Sequence, residues 1–145
     1  MEMPVAPVDI IELSGVDAFN LVWEREFIGR PEDEVRRIEW EFRSSRPCFA
    51  AFIDMTLLSV GGVIPTTLLA DSAYLWIYTT PLVAKHRVLF TKASLVYLHK
   101  VLDLYPLLYG SCRLDSPRSQ RWLRWLGATF FPPQGDLVPF ELRRP

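Results

Sequence analysis

Three groups of side chains in this sequence have types and spacings that could do chemistry. Lys85, His86 and Arg87 are consecutive and basic. At a helix N-terminus they would stand beside the positive end of the helix dipole, an unfavourable place for cations unless they contact phosphate or nucleic acid. A solvated turn facing acidic residues of the first half of the chain is the plainer reading and is preferred. Arg118, Arg121 and Arg124 recur every three residues, with Arg113 nearby and Trp122 and Trp125 interleaved. Such a ridge could hold phosphates while a tryptophan stacks a base. It is also the composition that dominates protein–protein contacts, and partner binding is the better functional reading. Two core tryptophans with solvated arginines between them remain the structural alternative. The last group is scattered. His86 and His99 have no carboxylate or cysteine at ligand spacing, and Cys48 and Cys112 fall in strand-like runs, where cysteine is usually an inert small hydrophobe. Asp115 precedes Ser116-Pro117 as a helix cap.

These groups belong to a chain of 145 residues, 50% hydrophobic and 23% charged, with a net charge of −1. The length predicts one domain, 1–145, and the apolar content excludes disorder. The small net charge conceals a split. Residues 1–75 carry 13 Asp/Glu against 6 Lys/Arg, whereas residues 76–145 carry 4 against 10. That asymmetry marks either a basic site for an anionic ligand or two halves that neutralise each other. An isoelectric point near 6.1 argues against a dedicated nucleic-acid domain. Two cysteines without a C-x-x-C pair predict neither a disulfide framework nor a metal site. The start, MEMPVAPVDI, lacks a basic n-region and an apolar h-region, so no secretory signal is expected. The longest uncharged run, 55–70, is broken by Gly61, Gly62 and Pro65 and falls short of the roughly 18 apolar residues of a membrane span. A soluble intracellular protein is therefore expected. The P-loop, the dinucleotide fingerprint and the G-x-S-x-G elbow are absent.

The elements that must position these groups follow from periodicity. Residues 8–13 read as a strand, and Ser14 caps a helix over 16–28 in which Phe19, Trp23 and Phe27 recur at helical spacing. Pro31 suits the first position of a second helix, with Glu32, Asp33 and Glu34 at its positive end and Val35, Ile38 and Phe42 as its apolar stripe. Pro47 ends it. Strands follow at 48–54 and 57–64 with a tight turn between them, and Gly61-Gly62 predicts a bulge or close approach in the second. After a loop at 65–72, residues 73–80 form a continuous, central strand. A helix over 82–104 has two apolar stripes: Phe90, Tyr97, Val101 and Leu104, and Val88, Leu95, Leu98 and Leu102. A strand at 107–114 leads to a helix beginning at Asp115-Ser116-Pro117 and stopped by Gly127. Strands at 128–131 and 137–142 close the chain. The order is β-α-α-β-β-β-α-β-α-β-β, an α/β (α+β) mixed sheet with helices on both faces.

That order, together with LLYGSCRLDSPRSQRWLRWLGATFF, resembles the GNAT fold of the Gcn5-related N-acetyltransferases over nearly the whole chain. Leu126-Gly127-Ala128 stands where the family has Leu-Gly-Phe. Within the fold, Trp122, Leu123 and Leu126-Gly127-Ala128 resemble the "FL-x-x-[IL]-G-A" ending of the internal virion protein A-like group of short-tailed bacteriophages.

The family binds the diphosphate of coenzyme A through backbone amides of an [RQ]-x-x-G-x-[GA] loop, with glycines admitting the phosphates. Here Ala84, Arg87 and Leu89 occupy those positions. The family's usual Tyr acid is replaced by Leu123, which cannot protonate a thiolate, and 73–80 holds no carboxylate base. The resemblance thus implies a catalytically degenerate, GNAT-like phage protein of the virion or host cytoplasm. It would act through protein contacts in virion assembly or structure, with phage structural proteins as partners and no cofactor or membrane. Arg118, Arg121, Trp122, Arg124 and Trp125 are the expected contact residues. The alternative is a divergent acyl-CoA-dependent N-acyltransferase, with Thr79, Thr80, Lys85, His86 and Arg87 on the acetyl-CoA side. A weaker one is nucleic-acid binding along Arg118, Arg121 and Arg124.

Overall fold

The computed structural model describes residues 8–22, 28–67 and 71–145. Its elements are β1 (Val8–Leu13), α1 (Gly15–Val22), α2 (Glu32–Ser44), β2 (Cys48–Ile53), β3 (Thr56–Pro65), β4 (Ser72–Thr79), α3 (Arg87–Leu104), β5 (Leu107–Arg113), α4 (Pro117–Trp125), β6 (Thr129–Phe130) and β7 (Leu137–Arg143). The sheet runs β1-β2-β3-β4-β5-β7-β6, which makes β4 the middle strand. The predicted element order and mixed sheet are therefore observed. The described residues cluster into two compact units, one from residues 1–64 and 77–93, the other from 65–76 and 94–145. Among them, no helix is long and apolar enough to cross a membrane.

In the first unit β1, β2 and β3 form an antiparallel meander, with Leu13 opposite Cys48 and Cys48 opposite Gly62. Asp54 and Met55 both take positive φ, 48° and 63°, the geometry of a two-residue type I′ hairpin. Ala51 pairs with Ser59 but Phe52 with Leu57, so the bulge falls at Leu58. Gly61 and Gly62 pair regularly with Phe49 and Cys48, which corrects the sequence reading of a bulge there. Residues 57–63 of β3 are all buried, more completely than β4.

Ser14 caps α1 as expected, its Oγ accepting from the Asp17 amide at 3.1 Å. The expected continuation through Trp23 and Phe27 lies outside the described residues, and Ile28 stands in a turn, 64% exposed. Gly15 lies against the end of α2, where a Cβ would overlap the Phe42 carbonyl. Pro31 is the residue before α2 rather than its first. Arg36–Glu32, Arg43–Glu39 and Arg30–Glu34 are local surface pairs four residues apart, so the acidic helix is balanced largely by its own neighbours. Phe42, fully buried, meets Phe19 edge-on at 5.5 Å and stacks with Tyr78 at 5.7 Å.

In the second unit β4 pairs in parallel with β5 over Ser72–Leu107, Ala73–Leu108 and Tyr74–Tyr109. Beyond Tyr109, β5 keeps its antiparallel partner β7 through Arg113 opposite Leu137. β6 then adds to the far edge of β7.

The helix expected over 82–104 begins at Arg87, because Pro81–Lys85 forms a 3₁₀ turn first. Its buried positions are Phe90, Leu98, Val101 and Leu102. Val88 and Leu104, placed in the apolar stripes by periodicity, are exposed.

Candidate functional site

The first candidate site lies beside the bulge in β3, where Thr80, just past β4, bonds the Leu57 and Leu58 carbonyls. Its amide donates to Leu58 O at 2.8 Å, and its Oγ1 lies 2.8 Å from Leu57 O and 3.1 Å from Leu58 O. Thr80 is buried by this clamp, so its hydroxyl faces inward, whereas the expected companion Thr79 is exposed.

From that anchor the chain makes its 3₁₀ turn, with the Val83 amide on Thr80 O and the His86 amide on Val83 O, both at 3.1 Å. The first bond of α3 runs from the Phe90 amide to His86 O at 2.9 Å. The Arg87, Val88 and Leu89 amides precede it and are the donors that every helix start leaves over. Lys85 and Arg87 are exposed and His86 is half-buried. Among the described residues none of the three forms an ion pair. The exposure of Lys85 and Arg87 agrees with the solvated turn of the preferred sequence reading. This corner brings cations and free amides together, and that arrangement can hold a multiply charged anion.

The second candidate site surrounds α4. Asp115 does not cap the helix: Arg113 grips its carboxylate through two nitrogens at 3.0 and 3.1 Å. This pair holds the exposed Asp115 carboxyl below its ordinary range. Ser116 is the residue before the helix, its Oγ 2.9 Å from that of Ser119, and Gln120 Nε2 donates to Leu114 O at 3.0 Å. At the other end Gly127 takes φ +100°. Its amide bonds Arg124 O while the Ala128 amide reaches Leu123 O, both at 3.0 Å, so the Leu-Gly-Ala motif is a helix terminator.

Leu123 is 4% exposed and supplies no acid, as its side chain dictates. Arg118, Arg121 and Arg124 are exposed, Trp122 is half-buried, and Trp125 is 56% exposed. Trp125 is therefore not the core residue that the structural alternative required. The Arg124 guanidinium lies 5.6 Å from the Phe130 ring centre.

Cys48 and Cys112 are free thiols; burial pushes Cys48 up to about 11 and raises Cys112. Neither is an activated nucleophile at neutral pH. No cluster of three or more potential metal ligands occurs among the described residues. Glu41 on α2 is a residue that sequence reading did not single out. Burial raises its carboxyl against the opposing pull of Arg37, and its place four residues from both Arg37 and the buried Ser45 was the available signal.

No protein-family model and no curated protein matches the sequence. Solved structures do. A GNAT-family protein from Desulfovibrio desulfuricans matches with a TM-score of 0.67 at 14% identity, over 95% of this chain and 99% of its own. The PaiA N-acetyltransferase of Thermoplasma acidophilum, in complex with coenzyme A, matches with 0.64 at 17%, over 94% and 98%. The N-acetyltransferase PseH of Campylobacter jejuni, in complex with acetyl coenzyme A, matches with 0.61 at 12%, over 95% and 99%. The bacteriophage resemblance gains no support from these likenesses, which are to acetyltransferases. The chain has the fold of the GNAT acetyltransferases.

Proposed function

We propose that this protein is a divergent acyl-CoA-dependent N-acyltransferase whose coenzyme diphosphate is held by side-chain cations in place of a glycine loop. One observation carries the reading: Lys85, His86 and Arg87 surround the free amides at the start of α3 and have no ion partner among the described residues. The sequence resemblance sets this stretch against the family's diphosphate loop. The near-complete coverage of both chains also supports one domain of this fold.

The residues present fit the anionic end of the coenzyme. Arg87 and Val88 project into solvent, and Leu89, half-buried, replaces the family's small residue. Lys85, His86 and Arg87 would hold the phosphates, joined by the three leading amides of α3. Bound acyl-CoA would supply the activated acyl thioester. Thr80 keeps the turn in place through the two β3 carbonyls. Residues 73–80 hold no carboxylate, and Leu123 is apolar and buried, so neither position supplies the family's usual base or acid. Turnover should therefore be slow, with binding and orientation as the chain's main contribution. Thiol release from acetyl-CoA in the presence of a primary amine tests this, and turnover as fast as that of an enzyme with both groups would contradict it.

The buried Leu123 also favours a second reading, a degenerate protein that works through contacts with other proteins, as the virion resemblance implies. Coenzyme binding without any thiol release, or no binding at all, would select it.

A further inference from the structure

A second function is carried by the solvent face of α4. At about 100° per residue, Arg118, Arg121 and Trp125 fall within roughly 60° of one another, on the side opposite the buried Leu123. Neighbours three and four apart on a helix are in side-chain reach. Trp125 is more than half exposed on the outermost line of this helix. The arginines around it differ. Arg124 is placed against the Phe130 ring and Arg113 is held by Asp115, whereas Arg118 and Arg121 have no ion pair among the described residues.

We propose that this face docks an acidic peptide segment of another protein, with two carboxylates meeting Arg118 and Arg121 and an apolar side chain on Trp125. Charge complementarity selects the occupant. Guanidinium and carboxylate groups pair in a bidentate geometry at close range, and buried tryptophan and arginine contacts carry much of the energy of small interfaces. Nucleic acid is disfavoured, because two uncommitted arginines on a chain with net charge −1 release few counterions from a phosphate backbone. A second copy presenting α2 is disfavoured too, since Glu32, Glu34 and Glu39 already hold arginines of their own chain.

The test is an array of 12-residue peptides in three composition classes, acidic–apolar, neutral–apolar and basic–apolar, probed with the full chain. A 20-nucleotide single-stranded DNA and sedimentation of the protein alone serve as comparisons. The acidic–apolar class should bind best. Arg121→Glu and Trp125→Ala should each weaken it at least tenfold with unchanged thermal midpoints, while Lys100→Glu on α3 should leave it intact. Equal binding of the three classes, or retention of acidic peptides by Arg121→Glu, overturns the proposal. So does DNA binding stronger than any peptide and lost with Arg121, or a dimer that Arg121→Glu dissociates.

Discussion

The start of α3 and the solvent face of α4 both gather arginine and other cations, yet they are built in opposite ways. At α3 the backbone does much of the work. Thr80 bonds two buried carbonyls of β3, and the turn that follows presents the leading amides of α3 beside Lys85, His86 and Arg87. At α4 the candidate contacts are instead side chains along the exposed face, Arg118, Arg121 and Trp125, away from the helix start. Anchored amides suit a small, multiply charged ligand, whereas an exposed tryptophan between arginines suits an extended partner. The same residue types thus acquire different ligands according to what holds them.

Substitutions should separate the frame from the surface. The largest loss is expected for Leu123→Ala, which empties a buried site beneath α4 and should cost about 3 kcal/mol of stability in denaturant unfolding. Thr80→Val comes next, at about 2 kcal/mol, because it strips a donor from two carbonyls in the interior. It should weaken coenzyme binding as well, with Thr80→Ser restoring both. Gly127→Ala should cost about 1 kcal/mol, the penalty of a side chain at φ +100°.

Glu41 should show a smaller effect of opposite sign. Its carboxyl is raised in the fold, so its favourable contribution is complete below the unfolded value and fades as pH rises through the folded one. Glu41→Gln should therefore stabilise the protein near pH 7, by at most about 0.5 kcal/mol given that solvent screens a half-exposed group. The smallest change is expected on the surface itself. Arg121→Glu should alter stability by less than about 0.5 kcal/mol, and a larger shift would show that the α4 face belongs to the frame.

Much of the architecture was legible because periodicity and punctuation agree along this chain. Ser14, Pro47 and Gly127 mark boundaries that the structure keeps, and the order of strands and helices follows from them. What escaped was non-local. Gly61-Gly62 suggested a bulge or a close approach by residue type, but the bulge forms at Leu58, whose carbonyl accepts from Thr80 more than twenty residues later. Val88 and Leu104 share helical spacing with buried residues, and spacing fixes an angle without saying where the neighbours stop. Trp125 could be read from its type as either a contact residue or a core residue, and its angle from Leu123, which turns it outward, separates the two.

Charge pairing was only partly legible for a similar reason. The acidic first half offered a ready counterweight to Lys85, His86 and Arg87. Three of the carboxylates on α2 bind arginines four residues away, and among the described residues none forms an ion pair with the basic corner. Asp115 and Ser116 are both good cap residues by type, but Asp115 pairs with Arg113 and Ser116, the residue before the helix, bonds Ser119.

The central claim is that the basic corner at the start of α3 holds a coenzyme diphosphate. Calorimetric titration of coenzyme A into the wild-type protein and into the double variant Lys85→Glu/Arg87→Glu addresses it directly. Micromolar affinity that weakens with salt and falls at least tenfold in the variant is the predicted result. No heat of binding at millimolar coenzyme A, or an affinity that the variant leaves unchanged, would contradict it.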